Sequence, residues 1–194
     1  MKRSCIIFSV FLLLLSSCTN EASTSSGGIN SGTINSSIVD TQRSILTLQP
    51  EEIFDLLGKP LDDVFAVLGD NHDDPDAYEG RRNVAYDDCD IFFNDLRIVE
   101  DIWIQQRPYV FYKGISNGKT LEEINANPEL KTKLTLQVDP EQGNYFAAVK
   151  FPYKSKYIYI ELDFDDDANG KCRMISIGLP IKGYEDFYEN IPEI

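Results

Sequence analysis

The sequence predicts an α+β fold made of two tandem units, each with two short helices packed on one face of an antiparallel β-meander. A Gly-Lys helix-start pattern occurs twice, at 58–64 and 118–124. Each copy is followed by short runs of β-branched and aromatic residues separated by turn residues, which is typical of strands. The last hairpin contains Asn169-Gly170, and Asn-Gly is the strongest short-range hairpin pattern.

The chain begins with the pattern of an export signal. Lys2 and Arg3 precede an apolar run at 6–15. This run is too short to span a bilayer, which needs about 20 residues, but it suits a signal peptide. The run ends in residues 15–18 (LSSC), which resemble the lipobox of bacterial lipoproteins. That resemblance implies cleavage after residue 17, lipid on Cys18 and palmitoylation. An ordinary secretory signal with an incidental cysteine is the alternative.

Composition then divides the rest of the chain. Residues 18–44 are the lipidated cysteine and a tether rich in Ser, Gly and Asn, with a root-mean-square reach of about 28 Å. Residues 45–110 form the first predicted repeat, and residues 111–194 form the second repeat with a C-terminal tail. We expect the folded part to stand off a cell membrane or outer membrane, facing the periplasm or the exterior.

The net charge limits the partners. The whole chain carries −14, and loss of residues 1–17 removes two basic residues and brings the charge to −16. Such an acidic chain repels nucleic acid and anionic headgroups. The charge favours a cationic or neutral partner, or serves solubility alone.

In the first repeat, Pro50 begins a helix, Gly58 ends it, and Pro60 begins a second helix that Gly69 ends. An acidic loop at 70–82 follows. The predicted strands are 83–86, 89–94 and 98–105.

In the second repeat, Thr120 and Glu123 form a capping box for a helix that ends near residue 126. A second helical turn is predicted at 128–133. The predicted strands are 134–138, 145–151, 157–164 and 172–179, and the third of these alternates strictly between apolar and polar residues.

Together, the repeated helix pattern and the acidic Asn-Gly-Lys hairpin resemble the β-lactamase-inhibitor-like fold. That group includes small outer-membrane assembly lipoproteins, and the inhibitor proteins carry the unit twice. The resemblance covers about residues 51–179. It implies a protein-binding role with no shared catalytic residue.

Several residue patterns suggest particular sites. Cys89 and Cys172 remain after signal removal and are either disulfide-bonded or two buried free thiols. His72 is the only histidine, so zinc sites built from several histidines are excluded, and we expect it in a solvated loop.

The acids and Asn169 at 163–170 resemble the start of a calcium loop. Ser176 stands where that loop needs a glutamate, so a hairpin of solvated acids is favoured and no metal is assigned.

Aromatic residues suggest a binding surface. Tyr157 and Tyr159 occupy the positions that alternate with the apolar residues of their strand. Trp103 likewise alternates with the apolar residues of its own strand. Exposed rings on a rigid sheet bury much area at little entropic cost. The alternative is that these rings pack under a loop or under the C-terminal tail.

These observations predict a non-catalytic, lipid-anchored envelope protein that binds a protein partner through an exposed sheet face, without a cofactor. One alternative is an inhibitor or immunity lipoprotein against a cationic enzyme or toxin. Another is an enzyme acting on an envelope glycan or peptide, which would need a concave pocket holding two acids of perturbed pKa. A sensor of a small ligand or cation is a third.

Replacing Cys18 with alanine removes the thiol that the lipid requires. We expect Cys18→Ala to abolish incorporation of labelled palmitate in the producing cells. Cys5→Ala, which changes a cysteine inside the signal peptide, is the matched control and should be labelled normally. Labelling of Cys18→Ala at the unmodified level would show that the lipobox assignment is wrong.

Overall fold

The computed structural model describes residues 43–77, 79–105, 108–139, 143–165, 170–180 and 185–194. The lipobox and most of the tether lie outside these residues. These residues include four α-helices: α1 (Pro50–Leu56), α2 (Leu61–Leu68), α3 (Leu121–Asn125) and α4 (Glu185–Glu189). The seven strands are β1 (Asn83–Ala85), β2 (Cys89–Phe93), β3 (Val99–Ile104), β4 (Gln137–Val138), β5 (Tyr145–Tyr153), β6 (Lys156–Phe164) and β7 (Cys172–Gly178). None of the helices in the described part of the chain is long and apolar enough to cross a membrane.

The strands form one antiparallel sheet in the order β1-β2-β3-β7-β6-β5-β4, which confirms the α+β class. The meander β1–β3 therefore meets the meander β4–β7 where β3 pairs with β7. Ile102 lies opposite Ile177, and Ile104 lies opposite Ile175. All four isoleucines are fully buried, so the join between the meanders lies at the centre of the core.

One sheet face holds the core. The apolar stripe of β6 is buried as the alternation predicts, and it belongs to the same hydrophobic cluster as the buried residues of α1, α2 and α3. Phe54 of α1 is 1% exposed, and its ring contacts four other rings: Phe111, Tyr112, Phe151 and Tyr153. We call this side the inner face.

The two Gly-Lys turns make the same backbone hydrogen bonds. Gly58 N donates to Val99 O at 2.8 Å, and Gly118 N donates to Cys172 O at 2.7 Å. Val99 N and Cys172 N donate back to the lysine that follows each glycine, at 2.9 and 2.8 Å. Both glycines have φ near +80°, a left-handed conformation that glycine adopts without steric cost.

The predicted helical turn at 128–133 and most of the strand at 134–138 are wrong. Asn125 explains the shortened strand, because its side chain takes both backbone groups of Leu134. The Nδ2 group donates to Leu134 O at 2.9 Å, and Leu134 N donates to Oδ1 at 2.7 Å. Residue 134 is therefore unavailable to the ladder, and β4 is confined to Gln137–Val138.

The disulfide considered between Cys89 and Cys172 is absent, and both are buried free thiols. Strand register explains why. Cys89 lies opposite Ile104 of β3, which lies opposite Ile175 of β7, and Cys172 is three residues further along that strand. Standard strand spacings put the two Cα atoms about 14 Å apart, and a disulfide needs less than about 7 Å. Burial raises the pKa of the Cys89 thiol.

Candidate functional site

The opposite side of the sheet, which we call the outer face, carries polar and aromatic side chains along its central strands. Two rows cross these strands in register. One row runs Trp103, Ser176, Glu161 and Ala148, and the other runs Asp101, Gly178, Tyr159 and Lys150. These residues alternate with the isoleucines of the inner face, so strand period places them together.

Asp101 is the centre of a hydrogen-bond network on the outer face. Its Oδ2 accepts from Trp103 Nε1 at 2.6 Å, and its Oδ1 accepts from Ser176 Oγ at 2.8 Å and from Ile102 N at 2.9 Å. Burial raises the pKa of Asp101, while the bonds from Trp103 and Ser176 act to lower it. The network therefore stabilises a carboxylate that burial disfavours.

Gly178 is required next to this carboxylate. A Cβ atom at position 178 would lie 3.1 Å from Asp101 Oδ1 and 3.3 Å from Glu100 O, both tighter than ordinary contact. The small residues Gly178, Ser176 and Ala148 leave a cavity of about 50 Å³ between the sheet and the C-terminal residues Phe187, Tyr188 and Ile191. Asp101, Tyr159 and Glu161 also line it. This volume holds one or two water molecules and is too small for a sugar ring.

Glu161 is the unusual acid of the site. Burial, together with the nearby charges of Asp101 and Asp163, raises its pKa from 4.5 to about 7. Within the described residues, no ion pair or hydrogen bond to its carboxyl group is present. Its neighbour Asp163 differs, because Asp163 Oδ2 accepts from Arg173 Nε at 2.7 Å. Asp163 Oδ1 is buried without a partner.

The predicted aromatic residues lie on the outer face but not as fully exposed rings. Tyr159 packs edge-on against Tyr188 of α4, with ring centroids 4.3 Å apart. Trp103 packs on Phe92 at 4.3 Å, away from the cavity. Tyr157 is 43% exposed, and its hydroxyl donates to Glu193 Oε2 at 3.3 Å. Tyr188 therefore packs on Tyr159, as the alternative interpretation expected, while Tyr157 remains exposed and Trp103 and Phe92 form a separate aromatic pair.

Sequence reasoning missed Asp101, Glu161, Ser176 and Gly178 as site residues. The acids alone gave no selective pattern, because 32 acidic residues place some pair of carboxylates almost anywhere. The useful pattern was position along the strand: Asp101 and Glu161 occupy positions that alternate with buried apolar residues, Ile102 and Ile104 in β3 and Ile160 and Leu162 in β6. Only the pairing of β3 with β7 brings the two together.

The remaining sequence candidates are structural or lie partly outside the described residues. His72 is not a solvated loop residue, because its ring stacks on Phe65 at 4.0 Å and its Nδ1 lies 2.7 Å from Asp73 O. Asp167 and Asn169 of the calcium pattern lie outside the described residues. Within the described part of the chain, no group of three or more His, Cys, Asp or Glu is arranged to hold a metal ion.

Neither a protein-family model, nor a curated protein, nor a solved structure matches this chain.

The raised pKa of Glu161 predicts a pH-dependent stability. Because the folded chain holds this proton more tightly than the unfolded chain, the group stabilises the fold below about pH 4.5, and that contribution is lost as the pH rises to about 7. We expect Glu161→Gln to raise the free energy of unfolding at pH 8 by on the order of 2 kcal/mol and to change it little at pH 4.5. Urea denaturation at the two pH values measures this.

The matched control is Glu129→Gln, which removes an exposed carboxylate and should change stability by less than about 0.5 kcal/mol at either pH. Equal stability of Glu161→Gln and the unmodified chain at pH 8 would contradict the assignment of Glu161 as a desolvated, uncompensated acid.

Proposed function

We propose that this chain is a non-catalytic, lipid-anchored envelope protein that binds a basic partner protein through its outer face. The observation that carries the proposal is the Glu161 carboxyl group, which lies beside Asp101 in a cavity and has no cationic partner among the described residues. An acid held at a cost to stability is typical of functional sites.

A lysine or arginine side chain from a partner would supply the missing charge. The cation would lower the pKa of Glu161 and restore the ionised form at neutral pH. Trp103 and Phe92, a separate aromatic pair on the same face and outside the cavity lining, would add apolar and cation–π contacts at low entropic cost. The charge of −14 would steer a basic protein towards this surface and speed its association.

Two adjacent acids with raised pKa are also a feature of enzymes, so an envelope glycan- or peptide-acting enzyme is the second candidate. The cavity of about 50 Å³ favours binding over turnover, because it is large enough for one ammonium group but too small for a sugar ring beside both carboxyl groups.

We further propose that the two meanders are tandem copies of one unit with α1 to α3 on the inner face. The matching hydrogen bonds at Gly58 and Gly118 support this, as does the similarity of 58–64 to 118–124. A tandem pair would be consistent with the resemblance to β-lactamase-inhibitor-like proteins. Inhibition of, or immunity to, a cationic enzyme or toxin is then the most specific form of the proposed role.

The test compares capture of an envelope partner by two double variants. Trp103→Ala with Tyr159→Ala removes outer-face rings. Leu96→Ala with Val110→Ala removes side chains that are 81% and 62% exposed elsewhere and serves as the matched control. We expect the outer-face variant to retain less than about a tenth of the partner captured by the unmodified chain, because a few aromatic anchors carry most binding energy.

The control variant should capture the partner normally, and both variants should unfold cooperatively in urea. The Glu161→Gln chain should capture less partner at pH 8, where Glu161 is ionised, and the same amount at pH 5.5. Undiminished capture by the outer-face variant would refute the proposed surface.

A further inference from the structure

The edge of β5 is paired along part of its length by β4 and further along by the C-terminus of the chain. Strand β4 pairs only with Tyr145 and Phe146. Beyond them, Lys150 N donates to Pro192 O at 2.9 Å, and Ile194 N donates to Lys150 O at 3.0 Å. The last three residues therefore add to the sheet as a short parallel strand. We call residues 186–194 the C-terminal segment.

Side chains of the C-terminal segment occupy specific positions on the outer face. Ile191 is 4% exposed and lines the cavity. Phe187 and Tyr188 contact Phe146 and Tyr159, with ring centroids 6.0 and 4.3 Å apart. The aromatic contacts therefore come from helix α4, and the backbone pairing with β5 comes from the residues after it, as in strand addition to a sheet edge.

Lys150 organises the site through its side chain as well as its backbone. Its ammonium group donates to Tyr188 O at 3.0 Å and to Glu189 O at 3.2 Å, at the C-terminal end of α4. A cation there satisfies carbonyl groups that a helix end leaves unpaired. Thr132 Oγ1 also donates to Glu193 O at 3.1 Å. The edge of β5 and the neighbouring Thr132 therefore offer hydrogen-bond donors at defined positions along an added peptide.

The attachment of the segment differs from that of the core strands. Ile191 is buried, but it does not belong to the main hydrophobic cluster, and Ile194 packs against that cluster as a partly buried residue. Only two ladder hydrogen bonds hold the added strand, whereas β5 and β6 pair over eight residue positions. A terminal element with few ladder bonds opens with a smaller free energy than the sheet to which it is attached.

We propose that this edge of β5 is a binding site for a peptide that has one helical turn followed by a short β-strand, and that the C-terminal segment is its occupant within the same chain. The ligand class follows from the seated residues: two consecutive aromatic residues, an aliphatic residue three positions later, and then Pro-x-aliphatic. This recognition depends on backbone and apolar contacts, so it goes beyond the binding of a basic partner at Glu161 and does not depend on it.

The test uses the full chain with a labelled synthetic peptide, EDFYENIPEI, which has the sequence of residues 185–194. Ile191→Asp in the chain should release the segment, since a charge does not fit the buried position. We expect the Ile191→Asp chain to bind the peptide at least tenfold more tightly than the unmodified chain, because the site of the latter is already occupied. Fluorescence anisotropy measures the two affinities.

Two controls define specificity. The Leu96→Asp chain, changed at an 81% exposed position, should bind the peptide like the unmodified chain. A peptide with aspartate in place of Ile191 should bind the Ile191→Asp chain at least tenfold more weakly. Equal affinity of the unmodified and Ile191→Asp chains for the peptide, or no binding by either, would overturn the proposal.

If the Ile191→Asp chain does not fold, hydrogen exchange on the unmodified chain provides a second test of the proposal. The amides of Lys150 and Ile194 should exchange at least tenfold faster than the amide of Ile177 in β7, because opening of the segment exposes the first two alone. Exchange of all three at the same rate would mean that the segment opens only on global unfolding, and would refute an exchangeable site.

Discussion

The structure depends on the pairing of β3 with β7, which turns two meanders into one sheet. On the inner face this pairing places Ile102 and Ile104 beside Ile177 and Ile175, all fully buried. Each buried isoleucine contributes about 2 kcal/mol of transfer free energy. The same register defines the outer face. Leu179 N donates to Glu100 O at 2.9 Å, so the next pairs along, Asp101–Gly178 and Trp103–Ser176, are non-hydrogen-bonded pairs, whose side chains approach most closely.

Close approach at these pairs explains the chemistry of the outer face. Asp101 packs closely against Gly178, where a Cβ atom would lie 3.1 Å from Asp101 Oδ1, and it is stabilised by donors from its own strand and from β7. Glu161 lies opposite Ser176 on the next strand, but the Ser176 hydroxyl donates to Asp101, and no hydrogen bond to the Glu161 carboxyl group is present among the described residues. The two acids of this surface therefore differ because the donors of β3 and β7 bind Asp101.

The sequence predicted well what depends on local pattern. Strand alternation placed Ile158 and Ile160 in the core, and the Gly-Lys turns marked both helix starts. Prediction from the sequence failed where a side chain bonds backbone groups that would otherwise pair with a neighbouring strand, as Asn125 does at Leu134. It left open whether Cys89 and Cys172 form a disulfide or remain buried free thiols, because cysteine content carries no information about strand register.

The candidate site was the least predictable feature for the same reason. Asp101 and Glu161 become neighbours only through β7, which pairs with both of their strands. The docking of Tyr188 and Ile191 requires a terminal segment to return to β5, and no local periodicity indicates that contact. Non-local pairing therefore decides both the fold and the surface on which function depends.

The direct measurement of this pairing is a nuclear Overhauser spectrum of the isotope-labelled chain in solution. The Cα atoms of a non-hydrogen-bonded antiparallel pair lie about 4.5 Å apart, which brings their α-protons into contact. A strong cross-peak between the α-protons of Trp103 and Ser176 is the result that the account predicts. Absence of that cross-peak, with strong α-proton contacts present inside each meander, would show that the meanders do not join and would contradict it.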